Sequence, residues 1–302
     1  MKRAAIFLAL LTGCSSSPAS EDASESTGSE MTTAPVGSTA SMVSSSGSSS
    51  SSSSSSVDGS SGSEQCTALY GRPNDNTGLS DDQCGPACPC LDGWQAPEYT
   101  EADVEALEAL ELTAAFEPLS ADPYATPEDF PLDESSVCAV LVAGSEYTLE
   151  TFADDATAEA AGAQVTHDGA CGVCSPLQDL AVYMRQGDLT EPVRACGLLG
   201  LSEGEEAQFE CLRELGFTEP CAQVWGYNTT HTRTMCLQVC LDLLDAPYHE
   251  PDGSLNACLQ CDEDLSGPVF KAVAGRTRRN TGLASALCRP CDEVRRVVHR
   301  YD

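Results

Sequence analysis

Basic residues are scarce in this sequence of 302 residues. It has 15 lysines and arginines against 47 aspartates and glutamates, which gives a formal net charge of −32 at pH 7 and a pI near 4.1. Nucleic-acid binding depends on basic side chains that displace counterions from the phosphate backbone. So acidic a chain is therefore not expected to bind nucleic acid.

Long apolar runs and familiar catalytic motifs are also missing. Residues 4–11 form an apolar run of only eight residues, whereas a membrane-spanning helix needs roughly 20. The chain contains no Gly-x-Ser-x-Gly, His-Glu-x-x-His or phosphate-loop motif. The sequence thus predicts no transmembrane helix and no cofactor. It leaves enzymatic activity uncertain, and the lack of catalytic motifs favours a protein that is not an enzyme.

An export signal opens the chain. Lys2 and Arg3 precede the apolar run, and Leu11-Thr12-Gly13-Cys14 follows it. A positive start, a short apolar run and small residues before a cleavage point are typical of secretory signals, so residues 1–13 are predicted to be a signal peptide. The residues around Cys14 resemble the lipobox of bacterial lipoproteins.

The lipobox resemblance implies a modification and a location. In that family the Cys becomes the new N-terminus and carries acyl chains, so a covalent lipid on Cys14 would anchor the chain in the bacterial cell envelope. An Asp after the Cys often marks retention in the inner membrane, whereas this chain has Ser15. The resemblance therefore implies an outer-membrane lipoprotein, on either the periplasmic or the surface side, whose membrane contact is the lipid.

Composition divides the rest of the chain. Residues 14–65 are predicted to be a lipidated Cys with a disordered tether, because 24 of residues 15–65 are serine and none is basic or aromatic. The folded part is expected to comprise a small cysteine-rich module at residues 66–95, a helix with a proline-rich connection at 96–135, and a disulfide-stapled, mostly helical domain at 136–302.

Local patterns predict an α+β fold that is mainly helical, with many short helices and a small β element. Apolar and alternating runs indicate strands at residues 137–142, 147–152 and 164–167. Helix capping pairs are predicted at Thr100 with Asp103 and at Ser202 with Glu205. Successive helices are expected after Ser175, the last over residues 288–300.

Sixteen cysteines follow Cys14, an even number that predicts up to eight disulfide bonds in an oxidising compartment. Six of them form three Cys-x-x-Cys pairs, namely Cys171/Cys174, Cys258/Cys261 and Cys288/Cys291. Structural disulfides to cysteines outside each pair are favoured. Thiol–disulfide exchange at Cys171 and Cys174 stays open, as does a zinc site.

Most basic residues lie near the end of the chain. Residues 265–302 hold eight basic and three acidic residues, whereas residues 4–264 hold five basic and 44 acidic ones. The favoured interpretation is that this basic segment packs on the acidic body and reduces its self-repulsion. The alternative is a site for a phosphate, sulfate or uronate group, with four candidates: Lys271, Arg276, Arg278 and Arg279.

Three adjacent acids, Asp262, Glu263 and Asp264, are a calcium candidate. Their carboxylates are suitable ligands, but their spacing differs from that of an EF-hand loop. A solvated helix face or pairing with arginine is the favoured interpretation.

Two segments are similar to each other and are called the first repeat (residues 71–86) and the second repeat (residues 275–290). Eight of sixteen positions are identical without a gap, including Gly-Arg, Asn-Thr-Gly-Leu, a Cys and a Pro. Convergence on one turn type with a cysteine staple and duplication of a binding element both stay open. Equal loss of folding after separate mutation of Arg72 and Arg276 is the outcome that favours convergence.

The sequence points to a lipid-anchored, exported protein that acts as a binding or structural module, with an anionic ligand or a protein as its partner. Two alternatives stay open. One is an exported hydrolase that holds an anionic substrate with residues 276–279. The other is thiol–disulfide exchange at Cys171 and Cys174.

Overall fold

The computed structural model describes residues 68–301. The predicted signal peptide, Cys14, the serine-rich tether and Cys66 lie outside the described residues. The described part is mainly helical with small sheets and many disulfide bonds, as the sequence predicts.

Two small sheets involve the first described residues. Strand β1 (Leu69–Tyr70) pairs in parallel with β2 (Cys84–Gly85) and antiparallel with the last strand, β9 (Arg289–Pro290). Strands β3 (Ala87–Cys88) and β4 (Trp94–Gln95) form an antiparallel pair. The beginning and the end of the described chain therefore share one sheet.

Residues 288–300 do not form the helix that the sequence predicts. They form β9, a 3₁₀ turn (Cys291–Glu293) and extended chain. Pro290 has no amide hydrogen and disfavours helical backbone in the residue before it. Disulfides also join Cys288 to Cys84 and Cys291 to Cys88, so this part of the chain forms a strand instead of a helix.

A four-stranded sheet forms the second layer of the fold. Its strands are β5 (Glu111–Leu112), β6 (Val137–Ala143), β7 (Glu146–Phe152) and β8 (Gln164–Asp168), in the order β5-β7-β6-β8. The predicted strands are confirmed to within one residue at each end. Val140 and Tyr147 face the main core, whereas Val137 and Phe152 face a smaller cluster, because side chains alternate along a strand.

Eight helices are described: α1 (Glu101–Glu108), α2 (Asp155–Ala160), α3 (Leu177–Arg185), α4 (Thr190–Glu203), α5 (Glu205–Glu214), α6 (Glu219–Asp242), α7 (Ala257–Leu265) and α8 (Gly267–Ala274). Two 3₁₀ turns, Pro123–Ala125 and Pro127–Asp129, occupy the proline-rich connection. None of the described helices is long and apolar enough to cross a membrane.

One of the two predicted capping pairs is present. The Thr100 hydroxyl accepts the Asp103 amide, and the Asp103 carboxylate accepts the Thr100 amide, so α1 begins with a capping box. The prediction at Ser202 is wrong. Ser202 lies in the last turn of α4 and donates to the Leu199 carbonyl, while Gly204, with φ of 100°, separates α4 from α5.

The main core lies between the sheet and helices α3, α5, α6 and α8. Its fully buried side chains include Leu177, Leu180, Leu212 and Val224. Seven disulfides tie the described elements together: Cys84–Cys288, Cys88–Cys291, Cys138–Cys171, Cys174–Cys221, Cys196–Cys211, Cys236–Cys261 and Cys240–Cys258. Cys90 is disulfide-bonded as well.

Candidate functional site

The cysteines of each Cys-x-x-Cys pair bond outside their own pair. Cys171 joins Cys138 of β6, and Cys174 at the start of α3 joins Cys221 of α6. The two redox candidates are therefore used as separate cross-links rather than as one shared disulfide. No group of three or more His, Cys, Asp or Glu side chains in residues 68–301 is arranged to hold a metal ion.

Arg276, an anion-binding candidate, is fully buried after the end of α8. Its Nε donates to the Cys174 carbonyl (3.1 Å). Nη1 donates to the Thr281 hydroxyl (2.6 Å), and Nη2 donates to the Thr166 hydroxyl (2.9 Å) and the Ser175 carbonyl (2.7 Å). All these acceptors are neutral, and burial lowers the pKa of Arg276. The guanidinium thus cross-links β8 to the start of α3 and is closed to an external ligand.

A buried histidine–serine pair adjoins this arginine. Ser175 Oγ accepts the Gly172 amide (2.8 Å) and lies 2.7 Å from His167 Nε2. The Asp168 carbonyl only accepts and requires the hydrogen on Nδ1, so Nε2 of the neutral ring accepts from the Ser175 hydroxyl. His167 Nδ1–H then donates to the Asp168 carbonyl (2.8 Å). Burial, followed by the charge of Arg276, holds the pKa of His167 well below its usual value. Both side chains are fully buried, so the pair does not present a nucleophile to solvent.

No pattern in the sequence indicates the His167–Ser175 pair. The two residues lie on different elements, β8 and the turn before α3, and no motif links them. His299, which lies among arginines in the sequence, is also buried and donates to the Thr281 carbonyl (2.8 Å). Burial, followed by the charge of Arg276, lowers the pKa of His299 to about 3.

Glu263, a calcium candidate, is surrounded by cations. Lys271 Nζ lies 3.6 Å from Glu263 Oε2, Arg279 Nη2 lies 3.3 Å from it, and Arg289 pairs with Oε1. Burial alone raises the pKa of Glu263, but these three charges outweigh burial and lower it. Two of the anion-binding candidates, Lys271 and Arg279, therefore bind the protein's own carboxylate, which is the favoured interpretation of the basic segment.

The other two calcium candidates have different surroundings. Asp262 accepts hydrogen bonds from Thr232 and, at 3.4 Å, from Asn228, and burial raises its pKa. Asp264 is exposed and accepts from Gln260 at 2.8 Å. Each of the three acids thus has partners of its own.

Arg278, the fourth anion-binding candidate, lies over the ring of Tyr183, with Cζ 5.5 Å from the ring centroid. Its Nη2 atom is buried and has no hydrogen-bond partner among the described residues. Of the four candidates, Arg278 is the one with a buried N–H group that has no hydrogen-bond partner among the described residues.

A cleft of about 610 Å³ opens beside β5, between the end of α1 and the first turns of α3 and α6. Apolar and aromatic side chains line it, including Leu110, Leu112, Phe116, Tyr147 and Pro220. Glu108 and Glu111 add carboxylates to its rim, and Glu108 also pairs with Arg185. Within the described chain, β5 has a neighbouring strand on one side only, so the cleft lies along an open edge of the sheet.

Asp179, which no motif in the sequence marks, lies buried next to this cleft. Its carboxylate accepts the Thr218 amide (2.8 Å) and hydroxyl (2.9 Å) at the start of α6. Burial raises the pKa of Asp179 to about 7. The residue thus joins the start of α3 to the start of α6 and fixes one wall of the cleft.

Comparison with known proteins gives one partial match. Residues 205–297 match a family of unknown function, DUF8771. No curated protein and no solved structure matches the chain. The match includes α5 to α8, the second repeat and Glu263 with its cations, but not β5 or the other strands of the four-stranded sheet.

Proposed function

We propose that this protein is a lipid-anchored, exported binding module whose cleft takes an extended, basic and apolar segment of a partner protein. The proposal that the protein is exported rests on the cysteines. Seven described disulfides and the bonded Cys90 indicate folding in an oxidising compartment, outside the cytoplasm. The lipobox-like residues that end at Cys14 support the lipid anchor.

The observation that carries the binding role is the cleft at the open sheet edge. An unpaired strand offers backbone donors and acceptors to an incoming extended peptide, and the apolar lining offers pockets for alternate side chains. Glu111 in the cleft lining, on a strongly acidic protein, favours a basic partner over an acidic one. The cross-linked elements around the cleft keep it preformed, which lowers the entropic cost of binding.

The hydrolase alternative has less support. Arg276 bonds to backbone carbonyls and hydroxyls inside the core, and Arg279 bonds to Glu263. These side chains stabilise the fold and are not presented to a polymeric substrate.

Metabolic labelling with a palmitate analogue tests the anchor. The full chain is expected to carry the label and to fractionate with membranes, and Cys14→Ala is expected to lose both. Ser15→Ala is the matched control and should retain both. A Cys14→Ala protein that still carries the label contradicts the lipid anchor and leaves the proposed binding role unaffected.

Fluorescence anisotropy tests the cleft with a labelled heptapeptide of alternating Val and Arg. Glu111→Arg is expected to weaken binding at least about tenfold, because a like charge replaces an attractive one beside the edge strand. Glu203→Arg makes the same charge change at the exposed end of α4, which contributes no residue to the cleft lining, and should leave affinity within about twofold. Equal weakening by both variants indicates general attraction to an acidic protein and overturns the proposal.

A further inference from the structure

Five buried side-chain polar atoms lack a hydrogen-bond partner within residues 68–301, and three of them belong to neighbouring side chains. These three are the Tyr183 hydroxyl, the Trp225 indole nitrogen Nε1 and the Arg278 nitrogen Nη2. Tyr183 comes from α3, Trp225 from α6, and Arg278 from the loop after α8. Buried polar groups in native proteins almost always have partners, because leaving one unpaired costs the full desolvation penalty.

These donors lie in one aromatic cluster. Arg278 Cζ is 5.5 Å from the Tyr183 ring centroid, and the ring centroids of Tyr183 and Trp225 are 6.4 Å apart. The Trp225 indole lies near the Tyr183 hydroxyl, because it is among the groups that act on the Tyr183 pKa. Phe217 and Phe270 pack on Trp225, with centroids 5.9 Å and 4.6 Å away. The donors thus share a region walled by packed rings.

Arg278 forms no direct ion pair with an acid among the described residues. Asp188 raises the Arg278 pKa through space, but its oxygens accept hydrogen bonds from Asn74, Tyr248 and Thr190, each at 2.9 Å, and not from Arg278. Burial outweighs this effect and lowers the pKa of Arg278 to about 10, so the guanidinium remains charged at neutral pH. A buried cation without a directly paired counter-charge is costly.

We propose that the Tyr183 hydroxyl, the Trp225 indole and the Arg278 guanidinium bind a small monovalent anion of the halide class, such as chloride. Indole and guanidinium groups only donate hydrogen bonds. A water molecule can also accept from them, but it does not offset the charge of the guanidinium. An anion accepts from all three donors and neutralises the guanidinium as well. The packed rings favour a monatomic ion over a phosphate or sulfate group.

This site differs from the surface anion site that the sequence suggests. It uses Arg278 alone of the four candidates, together with two aromatic residues from α3 and α6. The anion would act as an internal part of the fold, holding α3, α6 and the loop after α8 together. Its ligation does not depend on the cleft or on the lipid anchor.

Bromide quenching of tryptophan fluorescence tests the proposal on the full oxidised chain. Trp94→Phe leaves Trp225 as the one tryptophan, since the sequence has two. At constant ionic strength, with gluconate as the balancing anion, bromide is expected to quench Trp225 saturably, and chloride should compete. In Arg278→Met the half-saturating bromide concentration should rise at least about tenfold, because the charge-assisted donor is lost.

Two further variants keep the test decisive. Arg233→Met is the matched control, since Arg233 is another partly buried arginine and donates to the Gly197 carbonyl at 3.2 Å, and it should bind bromide normally. Tyr183→Phe removes one donor while keeping the ring, so it tests the site if Arg278→Met does not fold; it should also weaken bromide binding. Crystals grown in bromide should show anomalous density among the three donors. Quenching that is linear in bromide, equal saturation in Arg278→Met, or only water at the site would overturn the proposal.

Discussion

The first and second repeats share a backbone turn but differ in what covers it. Thr77 and Thr281 are both fully buried, and the glycines that follow them, Gly78 and Gly282, have φ of 81° and 69°. The repeats are also bonded to each other, because Cys84 and Cys288 occupy equivalent positions and form a disulfide. Identical residues thus produce the same local turn at both ends of the described chain.

The arginines of the two repeats have opposite environments. Arg72 is half exposed and lies 3.9 Å from the exposed Glu98, whereas Arg276 is fully buried and bonded to neutral groups of β8 and α3. The turn itself is set by residues close in sequence. The role of its arginine is set by the elements that pack over it, and these come from distant parts of the chain.

Removing the link between the repeats should have the largest effect. Cys84–Cys288 and Cys88–Cys291 close loops of 204 and 203 residues. In the chain-entropy account, closing such a loop stabilises the fold by about 5 kcal/mol, and either bond suffices to close it. Replacing one pair with serines should therefore cost about 2 kcal/mol, and replacing both about 5 kcal/mol or more. Urea unfolding followed by circular dichroism measures both. Equal losses for one pair and for both contradict the shared-loop explanation.

Separate substitution of the two arginines tests their different roles. Arg276→Met should reduce the free energy of unfolding by about 3 to 4 kcal/mol, because it leaves several buried acceptors without a donor. Arg72→Met should change it by less than about 0.5 kcal/mol. Urea unfolding at pH 7 gives both values. Equal losses would mean that the arginines act alike, which the burial difference does not allow.

Substitution of the glycines should show what the repeats have in common. Gly78→Ala and Gly282→Ala should each cost about 2 kcal/mol, because alanine is strained at positive φ. A Cβ added at Gly78 would also clash with the Pro247 side chain, and one added at Gly282 would clash with the Arg295 carbonyl. Gly93→Ala is the control, since φ there is 69° but the space around it is open. A loss for Gly93→Ala as large as the other two would leave backbone strain as the whole explanation.

Acid sensitivity should also distinguish the repeats. His299, which bonds to Thr281, has its pKa lowered from 6.5 to about 3 by burial and by Arg276. Below pH 6.5, His299 binds a proton in the unfolded chain but stays neutral in the folded protein. The free energy of unfolding therefore falls as pH drops towards 3, by up to about 1.4 kcal/mol per pH unit. His299→Gln should reduce this slope. His249→Gln should reduce it less, because the Gly253 carbonyl partly offsets burial there; His249 contacts both repeats, through the Thr77 carbonyl and the Cys288 amide.

The quantity to measure is the slope of the free energy of unfolding against pH, compared between each variant and the parent protein. Asp179 has a pKa raised to about 7, so it makes stability fall as pH rises from about 4 to 7 and opposes the histidines in the same range. Unfolding free energies at several pH values between 4 and 7 supply the slopes. Identical slopes for His299→Gln and the parent would contradict a neutral, buried His299.

Much of the fold follows from local patterns in the sequence. Alternation and apolar runs place β6, β7 and β8, and the Thr100–Asp103 pair places the start of α1, because these signals depend on neighbours a few residues apart. The predictions for Ser202 and for residues 288–300 are wrong for different reasons. Gly204, a local residue, ends α4 two positions after Ser202, whereas two disulfides to distant cysteines hold residues 288–291 beside the first repeat.

The candidate sites follow from the sequence less completely. The charge imbalance predicts that the basic segment meets acids of the body, and Glu263 with Lys271, Arg279 and Arg289 confirms it. The cleft beside β5, the buried His167–Ser175 pair and the three donors around Arg278 bring together residues far apart in the chain. No spacing in the sequence reveals such groups.

The sequence by itself determined the acidic, cysteine-rich character of this protein, its helical content with a small sheet, and the two similar turns. These depend on composition and on short-range periodicity. The tertiary structure alone decided which cysteines pair, which arginine is buried and which edge of the sheet stays open. Burial and disulfide geometry depend on distances between elements, and those distances exist only once the chain has packed.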